Sequence, residues 1–134
     1  MHKDARASLR GRITAVLNIS SGGAGAKSAE EMAAIFAETD LAHAEVVAVG
    51  PDEIDHALAI ATAESDVVVV LGGDGTIRSA AEKCGAAGKL LMPLAGGTMN
   101  MLPHALYGNV PWQTALRETL AAPEVRDVSH GTLP

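Results

Sequence analysis

Short apolar runs alternate along the chain with longer segments of helical spacing. Four of the runs are predicted strands, at residues 13–19, 45–49, 67–71 and 90–94. The third run, VVVVL, lacks the alternation of a half-exposed strand, which indicates burial on both faces, as in a parallel sheet. Repeated strand–helix–strand units are typical of right-handed βαβ crossovers. The pattern predicts an α/β fold with three layers (α/β/α) and a mostly parallel sheet.

The segments between these runs are predicted helices with identifiable starts. Ser28 and Glu31 have the spacing of a capping box, in which each side chain satisfies a free amide at the helix start. Asp52 is predicted to cap the second helix, and Pro111 suits a first helical turn because its missing N–H has no helical partner there. The predicted helices are residues 28–39, a segment starting at residue 52, 76–87, 99–107 and 111–121, with a last strand at 125–128.

Composition limits the class of protein. The 134 residues are 48% hydrophobic, which is enough for one domain with a core but not for two. A net charge of −6 without a Lys/Arg cluster argues against nucleic acid and gives no polybasic membrane anchor. Cys84 is the only cysteine, so no internal disulfide forms, which fits a reducing compartment. No apolar run approaches the ~20 residues of a membrane span, and the N-terminus lacks the pattern of a secretory signal.

Three glycine-rich loops follow the carboxyl ends of predicted strands: NISSGG, GGDGT and AGGTMN. Ligands of open α/β sheets bind at this edge, and glycine lets a ligand approach backbone amides closely. A following helix N-terminus adds free N–H groups and partial positive charge, so the loops predict a phosphate site. The candidate binding residues are Asn18, Ser20, Ser21, Gly22, Gly72, Gly73, Gly75, Thr76, Gly97, Thr98 and Asn100.

Asp74 distinguishes GGDGT from the common phosphate-binding motifs. Neither G-x-x-x-x-G-K-[ST] nor G-x-G-x-x-G is present, and a hairpin turn at "DG" is disfavoured because a helix follows a strand without alternation. A carboxylate repels phosphate unless a cation lies between them, and Mg²⁺ is commonly held by one carboxylate plus substrate phosphates. The alternative is that Asp74 accepts a proton. Asp74 is therefore the candidate for both the metal-binding and the catalytic role.

Together, GGDGT at residues 72–76 and GGTMN at 96–100 resemble the diacylglycerol kinase catalytic domain family, which includes bacterial lipid kinases, sphingosine kinases and ceramide kinases. NISSG at 18–22 stands where the family has N-P-x-S-G, and GTMNM at 97–101 stands where it has G-T-x-N-D. RDV at 126–128 is similar to the segment where family members cross into a second domain. The chain departs from the family at Ile19, Met101 and His104, where proline, aspartate and arginine are usual.

The resemblance implies ATP-dependent phosphorylation of a lipid hydroxyl, such as that of diacylglycerol, with Mg²⁺ as cofactor and a place in phospholipid metabolism. Residues 1–134 would form the nucleotide-binding N-terminal domain, related to that of NAD kinases and inactive without the family's β-rich second domain. The full-length protein is expected in the cytoplasm. Peripheral contact with the inner membrane face and assembly as a homodimer are both compatible with the resemblance. Two rival functions stay open: an NAD kinase-like fragment, because GGDGT is shared, and a non-catalytic nucleotide-binding regulatory module, because Met101 replaces an acid.

Overall fold

The computed structural model describes residues 9–19, 24–95 and 110–122. Its sheet consists of β1 (Ile13–Asn18), β2 (Glu45–Val49), β3 (Val67–Gly72) and β4 (Leu90–Ala95). The strand order is β2-β1-β3-β4, and every neighbouring pair is parallel. Val16 of β1 is in register with Val47 on one side and Val70 on the other. The predicted parallel sheet is confirmed.

Helices cover both faces of this sheet. They are α1 (Ala24–Glu38), α2 (Ile54–Glu64), α3 (Asp74–Ala87) and α4 (Trp112–Ala121). Successive side chains of a strand point to opposite faces, so β1 and β3 contribute to two separate cores. Leu17 packs in the core that contains α1 and α4, and its neighbour Val16 packs in the core that contains α2 and α3. The three-layer α/β/α architecture predicted from the sequence is therefore correct.

Strand β3 lies at the centre of the packing. All six of its residues are buried, as the unbroken apolar run predicted. Phe36 of α1 and Leu116 of α4 pack on one side of the sheet, and Leu58 of α2 and Ala80 of α3 on the other; each is at most 1% exposed. Because both faces of β3 are covered, its carboxyl end is held firmly where the GGDGT motif begins.

Two helices begin earlier than predicted. Helix α1 begins at Ala24, so Ser28 lies inside the helix and the predicted capping box is wrong. Three of the four added residues, Ala24, Ala26 and Lys27, favour helix, against the unfavourable Gly25, and α1 is longer than predicted by about a turn. Helix α3 begins at Asp74 rather than at residue 76, with Gly73 in extended conformation at its N-cap. Asp74 and Gly75 therefore belong to the first helical turn and not to the preceding loop.

The predicted cap at Asp52 is also wrong. Glu53 holds the N-cap position of α2 without a side-chain cap hydrogen bond. The amide of Glu53 instead donates to the carbonyl of Gly50 at 3.0 Å, which closes a backbone turn between β2 and α2. Helix α4 begins at Trp112, one residue after the predicted start, with Pro111 at its N-cap. The predicted helix at 99–107 and strand at 125–128 lie outside the described residues.

Across the described ranges, no helix combines the length and apolar character that crossing a membrane requires.

Candidate phosphate-binding site

The order of the strands creates a crevice between β1 and β3. The chain leaves β1 through α1, on one face of the sheet, to reach β2. It then crosses over through α2, on the other face, and returns as β3 on the far side of β1. Doubly wound sheets bind ligands where the strand order reverses in this way, beyond the strand carboxyl ends. Asn18 ends β1 and Gly72 ends β3 at this position.

A side-chain hydrogen bond bridges the crevice. Asn18 Nδ2 donates to Thr76 Oγ1 at 3.0 Å, which joins the end of β1 to the first turn of α3. Because the Thr76 oxygen accepts this bond, its own hydroxyl hydrogen is available to a ligand oxygen. The sequence placed both residues at the same edge, and the structure shows that they are in direct contact.

The oxygen of the Asn18 amide is a buried acceptor. Asn18 Oδ1 is buried, and no hydrogen-bond partner for it is found among the described residues. A buried acceptor without a donor costs about 1–3 kcal/mol, so such atoms are rare away from functional sites. An N–H or O–H group of a ligand in the crevice would satisfy this oxygen.

Two glycines of GGDGT are present for different reasons. A Cβ on Gly72 would lie 3.0 Å from both Cβ and Cγ2 of Thr76, which is closer than side chains normally pack. Gly72 is therefore needed for the fold around Thr76. A Cβ on Gly75 would meet nothing within 4 Å, and Gly75 is exposed in the first turn of α3. The described structure does not require Gly75, so close approach of a ligand to the backbone is the remaining physical reason for a glycine there.

Asp74 is the first residue of α3 and is partly buried. A carboxylate at a helix N-terminus is favourable by about 0.3–1 kcal/mol, so Asp74 has a structural role whatever its chemistry. Within the described ranges, no group of three His, Cys, Asp or Glu side chains is placed to hold a metal ion. The single carboxylate of Asp74 fits a Mg²⁺ ion that arrives with a nucleotide and is also held by the phosphate oxygens.

Helix α3 is fixed to α2 by a polar cluster on the surface. Ser79 Oγ donates to Asp55 Oδ1 at 2.9 Å, and Lys83 Nζ donates to Ser79 Oγ at 2.9 Å. Lys83 and Asp55 also form an ion pair at 3.7 Å, in which Asp55 is 77% exposed. Such exposed pairs add little stability. The contacts join the surfaces of α2 and α3 beyond the first turn of α3, which carries Asp74, Gly75 and Thr76.

The structure brings together the predicted residues of the first and third strand ends. These are Asn18, Gly72, Gly73, Asp74, Gly75 and Thr76. The predicted residues Ser20, Ser21, Gly22, Gly97, Thr98 and Asn100 lie outside the described residues. Gly50 was not predicted, although it directly follows β2 at the same edge and a Cβ there would meet nothing within 4 Å. The signal in the sequence was a glycine immediately after a strand, as in the GGDGT loop.

Fold and crevice together define a doubly wound α/β domain with a candidate ligand site at the carboxyl ends of β1 and β3. The sequence matches the diacylglycerol kinase catalytic domain over residues 12–133. The chain therefore belongs to the diacylglycerol kinase catalytic domain family, as its motifs predicted.

One solved structure similar to this chain is described as a "putative diacylglycerol kinase from Bacillus anthracis str. Sterne". It superimposes with a TM-score of 0.69 at 15% sequence identity, over 83% of this chain and 39% of that one. The likeness at this identity concerns the fold. The chain spans about two fifths of the length of this relative. No curated protein matches the chain in sequence.

Proposed function

We propose that residues 1–134 bind the phosphates of ATP as the nucleotide-binding half of a lipid kinase. The observation that carries the proposal is the Asn18–Thr76 hydrogen bond across the β1–β3 crevice, beside Gly75, whose Cβ position meets nothing within 4 Å in the described part of the chain. Membership in the diacylglycerol kinase catalytic domain family supports the same function. The γ-phosphate would be transferred to a lipid hydroxyl such as that of diacylglycerol, in the cytoplasm and with peripheral contact to the membrane that holds the acceptor.

The residues of the crevice would have distinct tasks. Phosphate oxygens would accept hydrogen bonds from the free N–H groups of the first turn of α3 and from the Thr76 hydroxyl. Gly75 would let a phosphate approach those N–H groups. Asp74 would either hold Mg²⁺, which neutralises phosphate charge, or accept the proton of the attacking hydroxyl. Phosphoryl transfer depends mainly on positioning and charge neutralisation, which is the kind of contribution that this site can make.

We place the lipid-binding groups outside residues 1–134, in the β-rich second domain that the family resemblance implies. The solved relative is more than twice the length of the region it shares with this chain, which is consistent with a further domain in such proteins. The 134-residue chain is therefore expected to bind nucleotide without phosphorylating lipid.

The direct test is a ¹⁵N NMR titration of the 134-residue chain with ATP and Mg²⁺. Shifts are expected at Asn18 and at the amides from Gly72 to Thr76. Inorganic triphosphate with Mg²⁺ should move the same amides, because the proposed contacts are to phosphate. Shifts confined to other parts of the chain would contradict the proposal. So would the absence of any shift at about 1 mM nucleotide, a concentration that detects even weak specific binding.

The acceptor is tested with the complete gene product and radiolabelled ATP. Diacylglycerol in mixed micelles and NAD are offered as separate acceptors. Label in the lipid supports the proposal, whereas label in NAD supports the related NAD kinase activity. A non-catalytic module would label neither acceptor, and Asp74→Ala would leave its nucleotide binding and regulation intact.

A further inference from the structure

Strand β2 is the edge of the sheet that lies away from the β3–β4 side. Among the strands of the described residues it pairs only with β1, so no strand of that part of the chain covers its other side. None of its five residues is fully buried: Glu45 and Ala48 are exposed, and the three valines are half-buried. Exposed edge strands usually carry lysine, proline or a bulge that blocks pairing with another chain. The sequence EVVAV carries neither lysine nor proline.

Beside this strand runs a groove, formed because α2 packs over β1 and leaves β2 partly uncovered. The groove has a volume of about 300 Å³. Its floor and wall are apolar, and Ile60, at 45% exposed, is the large hydrophobic side chain of the described residues that remains most open to solvent. The apolar lining consists of Val16, Val47, Val49, Ala57, Ile60 and Ala61.

The rim of this β2–α2 groove is acidic. Glu53 lies at the end where β2 leads into α2, and Glu45 and Glu64 lie at the opposite end. His56 also lines the groove, and none of the described lining residues is Lys or Arg. Arg12 approaches Glu45 to 3.8 Å from outside, but both side chains are more than 60% exposed, so this pair screens the rim only slightly.

We propose that the β2–α2 groove binds an extended, basic segment of a partner protein, which adds to β2 as a further strand. Backbone hydrogen bonds to the open side of β2 would supply affinity, as in other cases of β-strand addition. Alternate apolar side chains of the segment would cover Val47 and Ile60. Lysine or arginine at its ends would face the three glutamates. The groove contains no residue of the phosphate site, so this function is separate from nucleotide binding.

The charge of the rim favours a basic partner over a second copy of this chain. An antiparallel pairing of two β2 strands would bring Glu45 of one copy toward Glu53 of the other, at both ends of the contact. Like charges opposed in this way are unfavourable. The net charge of −6 adds a long-range repulsion between copies.

The test uses a synthetic peptide, KVRVKVRK, with an N-terminal fluorescein, and a control peptide with glutamate at every basic position. We expect fluorescence anisotropy to show saturable binding of the basic peptide only, weakened by added salt. Amide shifts in an NMR titration should lie on β2 and α2. Ile60→Lys should weaken binding by about tenfold or more, a change of about 1.4 kcal/mol, because it replaces the apolar contact by a like charge.

Ala86→Lys is the matched control, since Ala86 is an exposed residue of α3 away from the groove. It makes the same change in net charge and should leave peptide binding unaltered. Equal loss in both variants would mean that only overall charge is sensed, which would overturn the proposal, as would shifts on another surface. Sedimentation of the chain alone as a dimer that Ile60→Lys dissociates would also overturn it, by identifying a second copy as the occupant.

Discussion

The glycines of the GGDGT motif differ in how closely other atoms pack around them, and Gly75 gives the sharpest test. Its Cβ position is open and it lies in a helix, where glycine is less favourable than alanine by about 0.8–1 kcal/mol. We expect Gly75→Ala to fold at least as stably as the wild type, as measured by urea unfolding. Nucleotide affinity should fall by about tenfold or more, because the added methyl group would stand where we propose that a phosphate approaches the backbone.

Gly85 provides a matched control for this prediction. It lies in the same helix, is exposed, and also has nothing within 4 Å of a built Cβ, but it is near the opposite end of α3. Gly85→Ala should raise stability by a similar amount and leave nucleotide affinity unchanged. If both variants bind ATP like the wild type, Gly75 is not a contact point for the phosphate.

Thr76 makes a second residue-scale prediction, because its hydroxyl joins the two sides of the crevice. Thr76→Val keeps the shape but leaves Asn18 Nδ2 without this acceptor, which should lower the free energy of unfolding by about 1–3 kcal/mol. Thr76→Ser keeps the hydroxyl and should retain most of the stability and of the ATP affinity. Urea unfolding and calorimetric titration measure the two effects. A Val variant as stable as the Ser variant would show that the bridge contributes nothing.

At the scale of helices and strands, the sequence predicted the apolar segments better than their ends. Strand β3 was predicted correctly because burial on both faces leaves an unmistakable apolar run. The start of α1 was missed because Ser28 fits a capping motif as well as it fits the interior of a helix. Local hydrogen-bonding capacity indicates where a cap is able to form, whereas neighbouring residues with high helix propensity decide whether the helix continues past it.

Helix α3 also carries a prediction on pH, through Cys84. The thiol is 2% exposed on the face that packs against the sheet, with Thr62 Oγ1 at 4.0 Å from its sulfur. Burial raises the pKa of Cys84 above its ordinary value of 9.0, against smaller lowering effects of the Thr62 hydrogen bond and Lys89. The raised pKa belongs to the folded chain. The contribution of the protonated thiol to the free energy of unfolding is therefore complete below the ordinary pKa and is lost as the pH rises through the folded-state pKa.

We therefore expect a steeper loss of stability above pH 9 in the wild type than in Cys84→Ala, although the variant is less stable at neutral pH. Urea unfolding of both proteins at pH about 7 and about 10 measures the difference. The thiol of the folded chain should also react slowly with a disulfide reagent at pH about 8, and rapidly once the chain is unfolded. Fast reaction of the folded chain would show that Cys84 is accessible.

For the whole molecule, the sequence predicted the class of fold but not the order of the strands. A run of βαβ units fixes parallel pairing and handedness, yet it does not determine on which side of β1 each strand is added. The contact of Asn18 with Thr76 depends on that choice, because in the order β2-β1-β3-β4 the strand that Asn18 ends lies next to the strand that leads into Thr76. The open β2–α2 groove likewise depends on which faces the helices leave uncovered.

The role of Asp74 is testable through the charge of the whole molecule, which is −6. ATP and the chain are both anionic, and Asp74 lies where the phosphates would bind. If Asp74 holds Mg²⁺, the wild type should bind ATP at least about tenfold more tightly with Mg²⁺ than with EDTA. Asp74→Asn should bind metal-free ATP better than the wild type, because a like charge is removed, and should gain little from Mg²⁺.

The opposite role gives a different pattern. If Asp74 accepts a proton instead, Asp74→Asn should keep the Mg²⁺ dependence of ATP binding and lose phosphoryl transfer in the complete gene product. Glu82→Gln is the matched control, since Glu82 is exposed on the same helix two turns further on. It removes the same charge from the chain, and an equal gain in metal-free ATP binding would attribute the effect to net charge rather than to Asp74. Calorimetric titrations of the three proteins, with Mg²⁺ and with EDTA, separate these outcomes.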